Sequence, residues 1–223
     1  MRIAVFARAP VAGRVKTRLA PALGTDGALA LHRQLIESTL FRARDAALGA
    51  VTLWIDGDAQ SPEVIACVKR QRVGVQTQRG SDLGARMHAA FSVELTAASA
   101  TEPGARSAAS PSVQGAPGNA GCLLIGCDCP ALSSTRLREA ATALATRDVV
   151  LIPALDGGYV LIGLRQPHAA LFEGIVWGSA QVLAATRERI AAAGLRCADL
   201  DPLPDLDTPD DYHAALRAGW ISP

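Results

Sequence analysis

Three stretches of the chain hold side chains able to do chemistry together. Residues 7 to 21, ARAPVAGRVKTRLAP, carry four cations around Gly13 directly after an apolar run. GCDCP (126 to 130) sets Asp128 at the end of another apolar run, and LPDLDTPDD (203 to 211) alternates Asp205 and Asp207 ahead of Thr208 and Pro209. Cations at the end of a strand suit a polyanion, because each N–H to phosphate contact is charge-assisted and several together outcompete water. The loop is not a Walker P-loop, which needs glycine directly before its lysine; Val15 precedes Lys16. A solvated basic loop would have the same composition, so the cations alone do not decide.

The acids make the second half of the argument. A carboxylate beside bound phosphates is repulsive unless a cation bridges them, and Mg²⁺ typically takes one or two carboxylates plus substrate phosphates. Asp128 and Asp207 are therefore candidate ligands for Mg²⁺ or Mn²⁺, with Asp205 close behind, while Thr208, Asp210 and Asp211 suit a helix start. An Asp capping a turn would explain Asp128 equally well. Cys122, Cys127 and Cys129 lack the spacing and the nearby histidine of a zinc site. Asp156-Gly157-Gly158-Tyr159 is either a plain glycine hairpin or a surface that lets an acceptor approach the backbone closely. No Ser-His-Asp or Cys-His set stands out; His32, His88 and His213 read as structural or surface residues.

The elements that must position these residues follow from periodicity. Apolar runs at 2–7, 51–56, 73–78, 122–128, 149–154, 159–164 and 195–200 alternate with segments of helical period. The helices are expected over 25–48, capped by Thr25 or Asp26, then 61–69 behind Ser61 and Pro62, 82–97, after Ser133 or Ser134, 179–193, and from Pro209. Strands apolar on both faces and separated by helices indicate an α/β fold with a mostly parallel sheet covered on both sides. The link between 149–154 and 159–164 is short and turn-rich, so a late antiparallel hairpin is expected there. Residues 97–121 are Ala, Ser, Gly or Pro at 19 of 25 positions and read as a disordered insertion. In such a sheet the carboxyl ends of the strands bind ligands, which puts the cationic loop and Asp128 on the same edge.

Composition sets the outer limits. With 223 residues, 49% of them hydrophobic, the chain suits a single domain over 1–223. A net charge of +1 supplies no basic field for nucleic acid. Five scattered cysteines and a short first apolar run point to the cytoplasm, with no secretion signal and no membrane span. Oligomeric state is not legible.

FARAPVAGRVKTRLAPALG, QRGSDLGARM, IGCDCPAL, PALDGGYVLIGL and DLDTPDD occur in this order over nearly the whole chain. Together they resemble the nucleotide-diphospho-sugar transferase (GT-A-like) superfamily. Within it they are similar to small bacterial glycosyltransferase-like proteins, the radical-SAM/selenodomain-associated transferase 1 family. That family is itself similar to 2-phospho-lactate and molybdenum cofactor guanylyltransferases. The resemblance implies a GT-A Rossmann-like three-layer αβα sandwich with a divalent metal at Asp128. It also implies nucleotide contacts along Ala7, Gly13, Arg14, Lys16, Thr17, Arg18, Gln78, Asp82 and Gly84, and acceptor contacts at Asp156, Gly157, Gly158, Tyr159 and Trp177. The chain departs from the family pattern at Arg8, Ala12, Cys129 and Trp177-Gly178-Ser179.

These features lead to a nucleotidyltransferase that moves a nucleoside monophosphate from a triphosphate to a small phosphorylated acceptor, releasing pyrophosphate. Lys16, Asp128 and Asp156 are its expected catalytic residues. The alternatives are a glycosyltransferase with a nucleotide-sugar donor, in which Asp156 is the base, and a nucleotide-binding protein without catalysis.

Overall fold

The computed structural model describes residues 1–100 and 121–222. Seven strands form one sheet: β1 (Arg2–Arg8), β2 (Ala50–Asp56), β3 (Gly74–Thr77), β4 (Cys122–Gly126), β5 (Val149–Pro153), β6 (Tyr159–Leu164) and β7 (Cys197–Asp199). Six helices connect them: α1 (Ala20–Asp45), α2 (Pro62–Gln71), α3 (Leu83–Ala100), α4 (Ser134–Leu144), α5 (Val182–Ala192) and α6 (Pro209–Arg217). The strand order is β3-β2-β1-β4-β6-β5-β7, with only β6 antiparallel to its neighbours among the described residues. The expected hairpin is present, but it folds over so that β6, its second strand, lies between β4 and β5.

Alternation along the strands feeds two cores. Ile3, Val5 and Ala7 of β1 pack with Ile36 and Leu40 of α1, Val64 and Val68 of α2, and Leu137 and Ala140 of α4. Ala4 and Phe6 point the other way, to Met87, Ala90 and Phe91 of α3 and Ile190 of α5. Both faces of the sheet are thus dry, which is why β1, β4 and β5 read as unbroken apolar runs. A satellite cluster joins Leu19, Leu31 and Leu35 to Leu206, Ala215 and Ile221, tying the loop after β1 to the C-terminal segment.

Caps account for most helix starts. Ser61 accepts from the Val64 amide, Ser133 from the Arg136 amide, and Thr208 and Asp211 form a reciprocal capping box. Two boundaries differ from expectation. A short helical turn from Ala20 precedes α1's main run, which follows a break at Gly24 (φ 72°, ψ 168°) and so starts at about Thr25 as expected, while the helix ends at Asp45, short of 48. Helix α3 continues to Ala100. The insertion expected over 97–121 otherwise lies outside the described residues, and Gly121 at its end is buried against β4's entry.

Candidate functional site

The loop after β1 turns tightly, with Gly13 at φ 72° and a bond from the Arg14 amide to the Val11 carbonyl of 3.0 Å. Lys16 itself has φ 47°, a left-handed conformation that costs a side-chain-bearing residue about 1 kcal/mol or more and persists only where the surroundings enforce it. The enforcement is visible. Leu19, three residues on, is fully buried in the satellite cluster, and its amide bonds the Lys16 carbonyl at 2.9 Å. The Lys16 side chain is only 5% exposed, with Nζ 2.8 Å from Asp128 Oδ1 and 3.0 Å from Asp207 Oδ1. It also donates to the Leu206 carbonyl. Burial alone would pull its ammonium down, but the pull of Asp128 and then Asp207 outweighs it and raises it above its ordinary value.

Asp128 follows β4, which pairs directly with β1, so the sheet register brings it beside the loop. Asp207 arrives from far along the chain. The segment after β7 runs alongside β5, with the Leu203 amide bonding the Pro153 carbonyl at 3.0 Å, and then crosses to Asp128, whose carbonyl accepts from the Leu206 amide at 2.8 Å. Asp211 Oδ2 accepts from the Asp207 and Thr208 amides at 3.1 and 2.7 Å, so Asp211 serves the helix start. Asp205 is half-buried and its carboxyl is pushed up, by burial first and by Asp156 second; it does not contact Lys16.

An open cleft of about 620 Å³ lies over this edge. Ala7, Lys16, Thr17, Arg18 and Gln78 line it together with Asp128 and Asp207. The Gln78 amide donates to the Ala7 and Trp54 carbonyls at 3.2 and 3.0 Å, which stitches the ends of β1 and β2 together. Gly13, Arg14, Asp82 and Gly84 stand off the walls. Asp82 instead accepts from the Ala85 amide at 2.8 Å in the first turn of α3. Gly84 lets α3 approach the 172–177 loop, since a Cβ there would lie 2.6 Å from the Phe172 carbonyl oxygen. Arg8, Asp56 and Arg86 also line the cleft, and Asp56 pairs with Arg86 at 2.7 Å. That pair is a contact between β2 and α3 that no single motif could announce.

A second cavity of about 310 Å³ adjoins the first and shares Phe6, Arg18, Leu83, Gly126 and Asp207 with it. Asp156, Gly158, Tyr159 and Trp177 line it, as do Met87, Val160 and Ser179. Asp156 Oδ1 accepts from the Gly158 amide at 2.9 Å, which fixes the carboxylate and leaves its other oxygen available. Gly157 is off the wall, at φ 93° and packed against the Ala180 carbonyl where no Cβ would fit. Phe6, Leu83 and Met87 passed unnoticed in the sequence because they look like ordinary core positions. A cavity of about 450 Å³ between α1 and α2 contains none of the expected residues.

Three oxygens, from Asp128, Asp207 and the Leu206 carbonyl, converge on the Lys16 ammonium, and an all-oxygen set of this kind fits Mg²⁺ or Mn²⁺. His32, Cys127 and Asp128 also offer ligand atoms within 4.8 Å of one another. That softer set is opposed by burial and by Asp128, which push the Cys127 thiol well above its ordinary value and keep its proton on. The His32 ring nitrogen Nε2 is 3.0 Å from the Arg8 carbonyl, and burial lowers the imidazole, so it is neutral in a structural role.

Residues 39–179 match the family described as "Uncharacterized protein conserved in bacteria (DUF2064)", a span that includes Asp128 and the 156–159 turn. No curated protein sequence matches the chain. Among solved structures, a candidate nucleotide-diphospho-sugar transferase of Desulfovibrio desulfuricans G20 is 28% identical, with a TM-score of 0.80 over 98% of this chain and 87% of that one. The 4-diphosphocytidyl-2C-methyl-D-erythritol synthase of Anaerococcus prevotii DSM 20548 is 10% identical with a TM-score of 0.57, covering 99% and 98%. Glucosyl-3-phosphoglycerate synthase of Mycobacterium tuberculosis, solved with Mn²⁺, UDP and glucosyl-3-phosphoglycerate, is 11% identical with a TM-score of 0.50, covering 97% and 76%. The last two likenesses establish the fold alone. Among the described residues no helix is long and apolar enough to cross a membrane.

Proposed function

We propose that this chain, which belongs to the DUF2064 family of bacterial proteins, is a metal-dependent transferase that moves a glycosyl group from a nucleotide-diphospho-sugar to a small hydroxyl-bearing acceptor. The observation that carries this reading is the chemistry of the second cavity. Its charged groups are Asp156, Asp207 and Arg18, and the rest of its wall is largely aromatic and aliphatic. A phosphorylated acceptor would bring its anion against two carboxylates with one arginine to offset them, whereas a neutral hydroxyl compound meets no such repulsion. The designation of the Desulfovibrio protein supports the same donor class.

Each residue then has a task. Arg18, exposed at the junction of the two cavities, and Arg8 face the donor's diphosphate. Asp128 and Asp207, with the Leu206 carbonyl, would hold Mg²⁺ or Mn²⁺, which when bound neutralises charge building on the departing diphosphate. Asp156, fixed through its Oδ1 by the Gly158 amide, takes the acceptor's proton on its other oxygen. Phe6, Leu83, Tyr159 and Trp177 exclude water from the reacting centre.

Nucleotidyl transfer with pyrophosphate release is the second reading, favoured by the number of cations on the cleft that receives the phosphates, Arg8, Lys16, Arg18 and Arg86. Incubation with Mn²⁺ and a panel of nucleotide sugars and nucleoside triphosphates in cell extract separates the two. Nucleoside diphosphate released from a nucleotide sugar is expected. Pyrophosphate released from a triphosphate would overturn glycosyl transfer in favour of the second reading, and binding without either product would leave a nucleotide-binding protein.

A further inference from the structure

We propose that Lys16 is a displaceable stand-in for the divalent cation: a metal ion bridging Asp128 and Asp207 expels its ammonium, which is then released to the donor's phosphates. The inference rests on the metal reading above and adds a role for one residue, that of coupling metal binding to donor binding.

The geometry around Nζ is that of a coordinated cation more than of a surface ion pair. One carboxylate oxygen from each of two acids, at 2.8 and 3.0 Å, and a main-chain carbonyl meet at a single point. The lysine is almost fully enclosed, while Asp128 and Asp207 remain 49% and 42% exposed, so a solvated ion can reach them. A divalent cation bridging both carboxylates would use the oxygens that Lys16 now holds. Two cations cannot share one gap in a partly buried site without strong repulsion.

The residue type fits the same idea. Lys16 and Lys69 are the chain's lysines, and the rest of its 22 lysine and arginine residues are arginine. An ammonium is a compact charge with donors in three directions on a flexible stem, able to occupy a metal-sized point and to leave it. A guanidinium is a planar fork that does neither well. Arg18 illustrates the contrast: it reaches Asp207 at 3.8 Å but is 77% exposed and lies outside the oxygen cluster. Once expelled, the Lys16 amine remains on the wall of the larger cleft beside Thr17 and Arg18, where the phosphates are received.

The two-lysine composition provides a direct test, with exposed Lys69 as internal reference. The wild-type chain is pulse-acetylated with an N-hydroxysuccinimide ester, with and without Mn²⁺, and both lysines are quantified by mass spectrometry. Bound Mn²⁺ is counted separately by electron paramagnetic resonance. Saturation with Mn²⁺ should raise Lys16 acetylation relative to Lys69 roughly tenfold, within the usual range for coupled sites. Unchanged acetylation with Mn²⁺ demonstrably bound overturns the displacement while leaving the proposed function standing; no bound Mn²⁺ overturns both. As a second measure, Lys16→Met should tighten Mn²⁺ binding about tenfold, and Arg18→Met by less than about threefold. Equal gains would mean a general field effect and would also overturn the inference.

Discussion

Glu94 offers the sharpest quantitative test of how the sheet and its helices hold the site. It lies on the inner face of α3 with its side chain 1% exposed, and it binds two strands at once. The Trp54 indole of β2 donates to Oε1 at 2.9 Å, and the Arg2 guanidinium of β1 donates to Oε2. Helix α3 also carries Leu83 and Met87, which wall the second cavity, so Glu94 anchors an element of that wall. Glu94→Ala leaves the indole N–H without a partner in a dry core, at about 1–3 kcal/mol. The lost methylenes leave a small void worth about 1 kcal/mol. Arg2 is 22% exposed and regains water, so its lost pairing adds no more than about 1 kcal/mol. The expected total is about 3 kcal/mol. Glu94→Gln keeps an acceptor for Trp54 and should cost about 1 kcal/mol. In urea, with a slope of about 2–3 kcal/mol/M for a chain of this size, the alanine variant's midpoint should fall by about 1 M and the glutamine variant's by less than about 0.5 M. A fall below about 0.3 M for Glu94→Ala, or equal falls for both, would refute the reasoning.

Three further outcomes are expected. Asp156→Asn preserves the turn bond to the Gly158 amide but removes the anionic oxygen, so kcat should drop about 10²–10⁴-fold with donor binding intact; an unchanged kcat in a product-release assay eliminates Asp156 as the base. Gly84→Ala places a Cβ 2.6 Å from the Phe172 carbonyl oxygen and 2.7 Å from Trp177 Cζ2, costing about 1–3 kcal/mol and displacing the indole; an unaltered near-ultraviolet circular dichroism spectrum contradicts that packing. Asp148, held to about 2 chiefly by hydrogen bonds from Arg196, contributes stability above its ordinary carboxyl value of 3.8 that disappears as pH falls towards 2. Asp148→Asn should flatten the stability profile across that interval while moving the neutral-pH Tm by no more than about 2 °C, because Arg196 is largely exposed; an identical acid slope in both proteins speaks against the pair.

Much of the architecture was readable because the relevant physics is local. Ser61, Ser133 and Thr208 announce helix starts through hydrogen bonds spanning three residues, and unbroken apolar runs announce strands buried on both faces. The convergence of loop 7–21 with Asp128 followed from one topological rule about strand ends. What escaped were properties set by partners distant in sequence. Glu94 looked like any helix acid, since periodicity cannot distinguish a buried carboxylate from a solvated one when its partners, Arg2 and Trp54, lie on other elements. Lys16 was read as a phosphate ligand, and its grip on Asp207 depends on Leu19 and Leu206 sharing a cluster that no motif encodes. The main run of α1 starts where expected, after Gly24, and what escaped is the short helical turn from Ala20 that precedes this break.

The direction of β6 explains why two cavities adjoin on a single sheet edge. In an all-parallel sheet the residues preceding a strand lie at the opposite edge from its ligand-binding end, and a helical crossover must carry the chain back. Because β6 runs against β4, with Ile125 opposite Leu161 and Cys122 opposite Leu164, it is the start of β6 that reaches the edge where β4 ends. The turn at 154–158 therefore sits beside Gly126 and Asp128 instead of beneath the sheet. Its backbone is held by bonds from the Ala154 amide to the Gly158 carbonyl at 3.0 Å and from the Leu183 amide to the Gly157 carbonyl at 2.9 Å, and Asp156 supplies the carboxylate that closes the turn on Gly158. Placing β6 next to β4, with β5 one position further out, brings Tyr159 and Asp156 to the wall that the shared residues Phe6 and Gly126 divide from the larger cleft. Reversing one strand thus brings a hairpin's carboxylate to the same edge as the loop's cations, with Asp207 and Arg18 on the walls of both cavities.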